Sequence, residues 1–209
     1  SSRRGSVAAP PRTDTAPVAG AAAAAPPEAF EPTLLVDSAR ALPALVDAIR
    51  GARSVINISM YGWLDSGSGA VLARLVEQKA REGVEVNVML DGRGSFVAPG
   101  LPGSRLVSRF REAGINVVVN RSLIPYLDGP VDHCKVYSID GRTGFIGGMN
   151  LSKTYDGWHD AMATLDRYGA VQAGRDFLAR WTARGGTVSD VNRRLVQQPA
   201  DEPVRGPVN

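Results

Sequence analysis

Cysteine and histidine are scarce in this chain, and their scarcity closes off several chemistries. A single cysteine, Cys134, can form neither an intrachain disulfide framework nor a cysteine-based zinc cluster. Two histidines, His133 and His159, leave little with which to hold a metal, so neither a metal nor another cofactor is expected in the chemistry. No stretch approaches the roughly 20 apolar residues of a membrane span. A net charge of +3 over 209 residues is too mild to name a partner: it permits anionic lipid or nucleic acid and demands neither. What remains is 44% hydrophobic, enough for one domain with a real core, or one domain plus tails.

Residues 1–32 are dominated by alanine and proline, with Pro10-Pro11 and Pro26-Pro27, and carry no periodicity. A disordered leader or linker is expected there. Ser2-Arg3-Arg4 ahead of the small-residue run 18–25 resembles an export signal with twin arginines, but the run is short and alanine-rich, which favours a processed tail. The cell envelope or the exterior is favoured over the cytoplasm.

From Thr33 onward strands and helices alternate. Leu34-Leu35-Val36 reads as a short strand, and residues 38–52 as a helix burying Leu42, Leu45, Val46 and Ile49. Strands are expected at 54–61, 84–90, 115–119 and 159–165, and helices at 67–83, 104–113 and 168–184. Repeated strand-helix-strand units imply an α/β domain over residues 33–186, with a mixed, largely parallel sheet flanked by helices on both faces. Residues 187–209 read as a tail or linker. In such sheets functional groups gather at the carboxyl ends of strands, so Tyr61, Asp91 and Ser95 are expected to border a pocket.

The chemistry concentrates in residues 131–150. Val136, Tyr137 and Ile139 favour a strand, Asp140-Gly141 a turn, and residues 143–146 a returning strand. Alternation puts His133 and Lys135 on one face and Cys134 on the other, where it reads as a small core residue rather than a nucleophile. A neutral imidazole can attack phosphorus while an adjacent ammonium neutralises the non-bridging oxygens. Asn150 adds a neutral donor, and Gly147 and Gly148 are expected to let the backbone run close to a ligand.

His133-x-Lys135, then Asp140, then Gly147-Gly148-x-Asn150, resembles the HKD signature of the phospholipase D superfamily, and so implies that superfamily's fold. The resemblance covers about residues 34–186 and is closest to the amino-terminal half of bacterial cardiolipin synthase-like proteins. It implies that His133 is the nucleophile of a phosphohistidine intermediate, that Lys135 and Asn150 hold phosphate oxygens, and that Asp140 ties the hairpin. Trp158-His159-Asp160 resembles the element after the first motif in that branch, which implies that Asp160 orients His133. Adjacent strand residues face opposite ways, so His159 then looks away from the site. Residues 90–95 resemble the segment upstream of that motif. One departure stands out: Val131-Asp132-His133-Cys134-Lys135 occupies the place of Arg-Asn-His-Arg-Lys, so two basic residues are missing beside an anionic head group.

One histidine cannot both attack phosphorus and protonate the leaving oxygen, and only one motif is present. The resemblance implies a second set of groups, either from a carboxyl-terminal HKD half or from a second copy in a homodimer. The leading reading is a phosphodiesterase or phosphatidyltransferase acting on phospholipid at a membrane surface. The alternatives are a metal-independent, homodimeric nuclease and an inactive binding module. Nucleic acid is the weaker substrate because the lysines and arginines are scattered along helices. The intact His133, Lys135, Asn150 and Asp160 set argues against the inactive module.

Overall fold

The computed structural model of the chain describes residues 32–120 and 130–197. The leader expected at 1–32 thus lies outside the described residues except for its last position, and so does the tail beyond 197. Seven strands form one sheet in the order β1-β7-β6-β5-β2-β3-β4. These are β1 (Leu34–Val36), β2 (Val55–Met60), β3 (Glu85–Asp91), β4 (Asn116–Asn120), β5 (Lys135–Ile139), β6 (Thr143–Gly147) and β7 (Ala161–Leu165). The helices are α1 (Asp37–Gly51), α2 (Gly67–Arg81), α3 (Pro102–Glu112), α4 (Arg167–Ala183) and α5 (Asp190–Gln197). Among the described residues no helix is long and apolar enough to cross a membrane.

The sheet is mixed, as the alternation of elements implies, but the expectation that it would be largely parallel needs correcting. Only β2–β3 and β3–β4 run parallel; the other four pairings are antiparallel. Connection length explains the division. Helices α2 and α3 carry the chain back across the sheet and force parallel neighbours, whereas a tight turn joins β5 to β6 and can only reverse the strand.

Both faces are covered. Ile56, Ile58 and Met60 of β2 and Val86, Val88 and Leu90 of β3 pack on one side in a core shared with Leu45 and Ile49 of α1, Leu72 and Val76 of α2, and Phe110 of α3. On the other side Met89 meets Phe177, Leu178 and Trp181 of α4 and Val196 of α5.

Within residues 187–209, read as a tail or linker, residues 190–197 form helix α5. It docks largely through amides: Asn192, 1% exposed, exchanges hydrogen bonds with Asn57 of β2 at 2.9 and 3.0 Å. Asn57 Oδ1 also accepts from Asn87, and Asn87 Oδ1 from Asn116, so the ladder crosses three strands. Asparagines read as surface in a sequence; here each buried amide finds another, which is what makes its burial tolerable.

The hairpin expected at 131–150 is present as β5 and β6, and Asp140 ties it down. Its φ of 53° is a conformation that aspartate tolerates, and its carboxylate accepts the backbone N–H groups of Arg53, Ser54 and Val55 at 2.8–2.9 Å. The turn of the motif is thereby clamped to the start of the neighbouring strand β2.

Candidate active site

Because β5 runs antiparallel to β2, its first residue lies beside the last residue of β2: Lys135 pairs with Met60. Tyr61 follows β2, and Asp91 closes β3 nearby. The site therefore forms where the carboxyl ends of two parallel strands meet the amino end of an antiparallel one.

Lys135 is 2% exposed, and its Nζ lies 2.9 Å from Nδ1 and 3.2 Å from Nε2 of His133. Near contact with both nitrogens puts the ammonium against the imidazole rather than in line with one lone pair. Nζ also donates to the His133 carbonyl at 3.0 Å and stands 4.9 Å from the Tyr61 ring centroid. The Tyr61 and His133 rings are 4.3 Å apart, tilted by 46°. Tyrosine, histidine and lysine thus form one packed group, and Tyr61 borders the site as its position after β2 implies.

Burial pushes the Lys135 ammonium below the ordinary lysine value; the charges of Asp160, Cys134 and Asp91 oppose that shift. The Asp160 carboxylate accepts the N–H of Ala161 at 2.7 Å. Among the described residues no hydrogen bond joins Asp160 to the His133 ring; its charge acts on the lysine. His159 is 85% exposed and pairs with Asp37 at 2.9 Å, so it does look away from the site.

Asn150 Oδ1 accepts the N–H of Gly62 at 3.1 Å, which seats this side chain at the end of β2 as well. Asn150 and Asp160 both line a narrow cleft walled by Leu42, Leu45, Met149 and Leu151.

Three expectations require correction. Gly147 and Gly148 were expected to bring the backbone near a ligand, but the protein itself fills the space that a Cβ would need. At 147 it would overlap the Ala161 carbonyl and Met162, and at 148 the Asp160 carboxylate. These glycines let β7 and Asp160 close on the motif. Ser95 and Asp91, expected at a pocket, are 0% and 1% exposed. Ser95 Oγ donates to the Tyr61 carbonyl at 2.8 Å and accepts from Trp63 N–H at 3.1 Å, which latches the β2 loop to the β3 loop. Asp91 accepts from Arg93 N–H and Gly94 N–H at 3.0 Å, from Asn120 Nδ2 at 3.0 Å and from Asp132 N–H at 2.9 Å. Both are supports beneath the site. Cys134 is half-buried rather than part of the core, and burial with the nearby Asp132 raises its thiol pKa. A raised pKa keeps it out of nucleophilic chemistry.

Sequence reasoning missed one feature altogether. Asp132, the residue before His133, points to the α4 side and accepts from Arg180 at 3.0 Å and Arg184 at 3.3 Å. No spacing rule connects position 132 with 180; the only signal was the departure from the Arg-Asn-His pattern. Among the described residues no group of three His, Cys, Asp or Glu side chains could hold a metal ion.

Comparison with known proteins bears on this arrangement. Residues 45–172 match the family model described as "Cardiolipin synthase, PLD-like domain". The chain is 31% identical over 126 residues to the probable cardiolipin synthase YwiE of Bacillus subtilis, covering 58% of this chain and 24% of that protein. It is 32% identical over 132 residues to cardiolipin synthase A of Pseudomonas aeruginosa, covering 59% and 25%. The match therefore spans about a quarter of the length of these relatives. Among solved structures, the phospholipase D family member Nuc from Salmonella typhimurium superposes with a TM-score of 0.56 at 21% identity, covering 74% of this chain and 94% of Nuc. NucT from Helicobacter pylori superposes with a TM-score of 0.61 at 19% identity, covering 75% and 99%.

Proposed function

The chain belongs to the family of phospholipase D-like domains of cardiolipin synthases, and from that premise we propose that it supplies one half of a site that transfers phosphodiesters of phospholipids at a membrane surface. The observation that carries this reading is the His133–Lys135 pair at the strand ends, with the ammonium held against both ring nitrogens. A phosphate oxygen bound to that ammonium places phosphorus beside the imidazole.

In the proposed reaction a ring nitrogen of His133 attacks phosphorus. The N–P bond forms as the P–O bond to the leaving alcohol breaks, and the departing oxygen takes a proton from a group on the second half. Water or an acceptor alcohol then gives a proton back to that group and attacks phosphorus. The N–P bond breaks and the imidazole is free again. Lys135 and the amide NH2 of Asn150 hold the non-bridging oxygens through both steps. Asp160 sustains the positive charge of Lys135 against the cost of its burial.

That role sets a pH dependence. Lys135 binds phosphate as the ammonium, so the alkaline limb of kcat/KM should fall below the ordinary lysine value of 10.5. Asp160→Asn removes a charge that raises this pKa, and the limb should move to still lower pH. A pH–rate profile of the two proteins checks the sign; a limb unmoved or shifted upward contradicts the role.

The reading as a half site is tested by native mass together with activity on phosphatidylglycerol vesicles in the presence of EDTA. A monomeric chain should be inactive alone and gain turnover when mixed with the HKD-bearing polypeptide that completes it. A dimeric chain should be active by itself. A strictly monomeric preparation turning over phosphodiester at an enzyme-like rate overturns the half-site reading.

A further inference from the structure

The side chain next to the nucleophile carries the wrong charge for its place. A phosphodiester is anionic, yet Asp132 immediately precedes His133, and Asp91 accepts the Asp132 backbone N–H from beneath. An uncompensated carboxylate one residue from the attacking nitrogen would repel the substrate.

The structure shows how that charge is handled. The Asp132 side chain is only 7% exposed. Arg180 Nη1 reaches its two oxygens at 3.0 and 3.3 Å, and Arg184 Nη2 reaches Oδ2 at 3.3 Å. Arg180 is itself braced, donating to Ser59 Oγ of β2 at 3.0 Å and to Asp176 at 2.9 Å, while Arg184 Nε donates to Asn120 Oδ1 of β4 at 3.0 Å. Two guanidinium groups, Arg180 on the last turn of α4 and Arg184 at its C-cap, thus converge on one carboxylate, both fixed to the sheet. Asp132 Oδ1 also accepts the Cys134 N–H at 3.3 Å, so the carboxylate straddles the backbone of His133.

We propose that Arg180 and Arg184 are positioning residues that hold the Asp132 carboxylate on the α4 side of the sheet and cancel its charge, so that an incoming phosphate meets the ammonium of Lys135 without a competing anion. The inference rests on the reading of His133 and Lys135 as the phosphate-facing pair. It also accounts for the departure at position 132: aspartate serves where an asparagine is expected because α4 brings its counter-charges.

The test uses inorganic phosphate as the probe and the His133 ring resonances as the readout, assigned by their absence from His133→Ala. It requires no turnover. At a pH of about 8, Arg180→Met should weaken phosphate binding about tenfold in about 10 mM salt, and the deficit should shrink in about 1 M salt as the repulsion is screened. Adding Asp132→Asn to Arg180→Met should restore the parental affinity, because no charge is then left to cancel. Methionine keeps the apolar stem that packs on the sheet. Should Arg180→Met fail to fold, Arg184→Met, whose arginine is more exposed and makes a longer contact, should show the same salt-dependent loss in smaller measure. An affinity that does not change, or a loss that neither salt nor Asp132→Asn relieves, makes the pair a support of the fold alone and overturns the inference. If phosphate leaves the His133 resonances of the parent unmoved, the proposed function falls instead.

Discussion

Replacing His133 with alanine is expected to abolish phosphodiester turnover in the assembled enzyme while leaving the domain folded. Removing a nucleophile that forms a covalent intermediate costs on the order of 10⁴- to 10⁶-fold in kcat, since neither the ammonium nor the amide can attack phosphorus in its place. The fold should tolerate the change because the imidazole lies at the rim of the sheet, against Tyr61 and Lys135, and outside both hydrophobic clusters. A thermal midpoint within a few degrees of the parent, beside a lost kcat/KM and no acid-labile phosphoprotein on quenching, would complete the result. Residual activity within tenfold of the parent would remove His133 from the mechanism.

A second large effect is expected at a residue buried beneath the candidate site. Asp91→Ala removes an acceptor, 1% exposed, that takes the N–H groups of Arg93, Gly94 and Asp132 and the amide of Asn120. Alanine leaves those donors without their acceptor. With an unsatisfied buried donor costing about 1–3 kcal/mol, the loss should reach about 3–5 kcal/mol, a large share of the 5–15 kcal/mol that holds a typical domain. Urea unfolding should show a strongly lowered midpoint. Asp91→Asn, which keeps the shape and one acceptor, should lose less. A shift equivalent to under about 1 kcal/mol for the alanine variant would show that the loops after β3 and before β5 are held by something else. Since Asp132 hangs from Asp91, the weakened loop should also misplace His133, so activity should fall further than stability alone explains.

The elements were legible because their signals are local. Amphipathic stripes such as Leu42, Leu45 and Ile49, and the alternating apolar residues Ile56, Ile58 and Met60 of β2, report burial directly, and the turn at Asp140-Gly141 announces the hairpin. Helix α5 was not legible: Asn192 is buried among other amides, and a polar side chain in a sequence gives no sign that its partner lies on a strand more than a hundred residues away. Gly147 and Gly148 showed that something passes close to them, but not whether it is a ligand or β7. The parallel share of the sheet was overestimated for a related reason, since which strand becomes a neighbour is decided by packing across the whole domain.

By itself the sequence determined that His133 and Lys135 stand together. His133 and Lys135 stand two residues apart on an extended segment, and strand geometry alone puts their side chains on one face. Tertiary structure decided everything that depends on distance in space: that Asp160 acts on the lysine, that Asp91 and Ser95 lie beneath the site rather than in it, and that α4 carries the counter-charge of Asp132. Those contacts join residues between 25 and 48 positions apart, where no periodicity reaches and only the folded sheet brings them together.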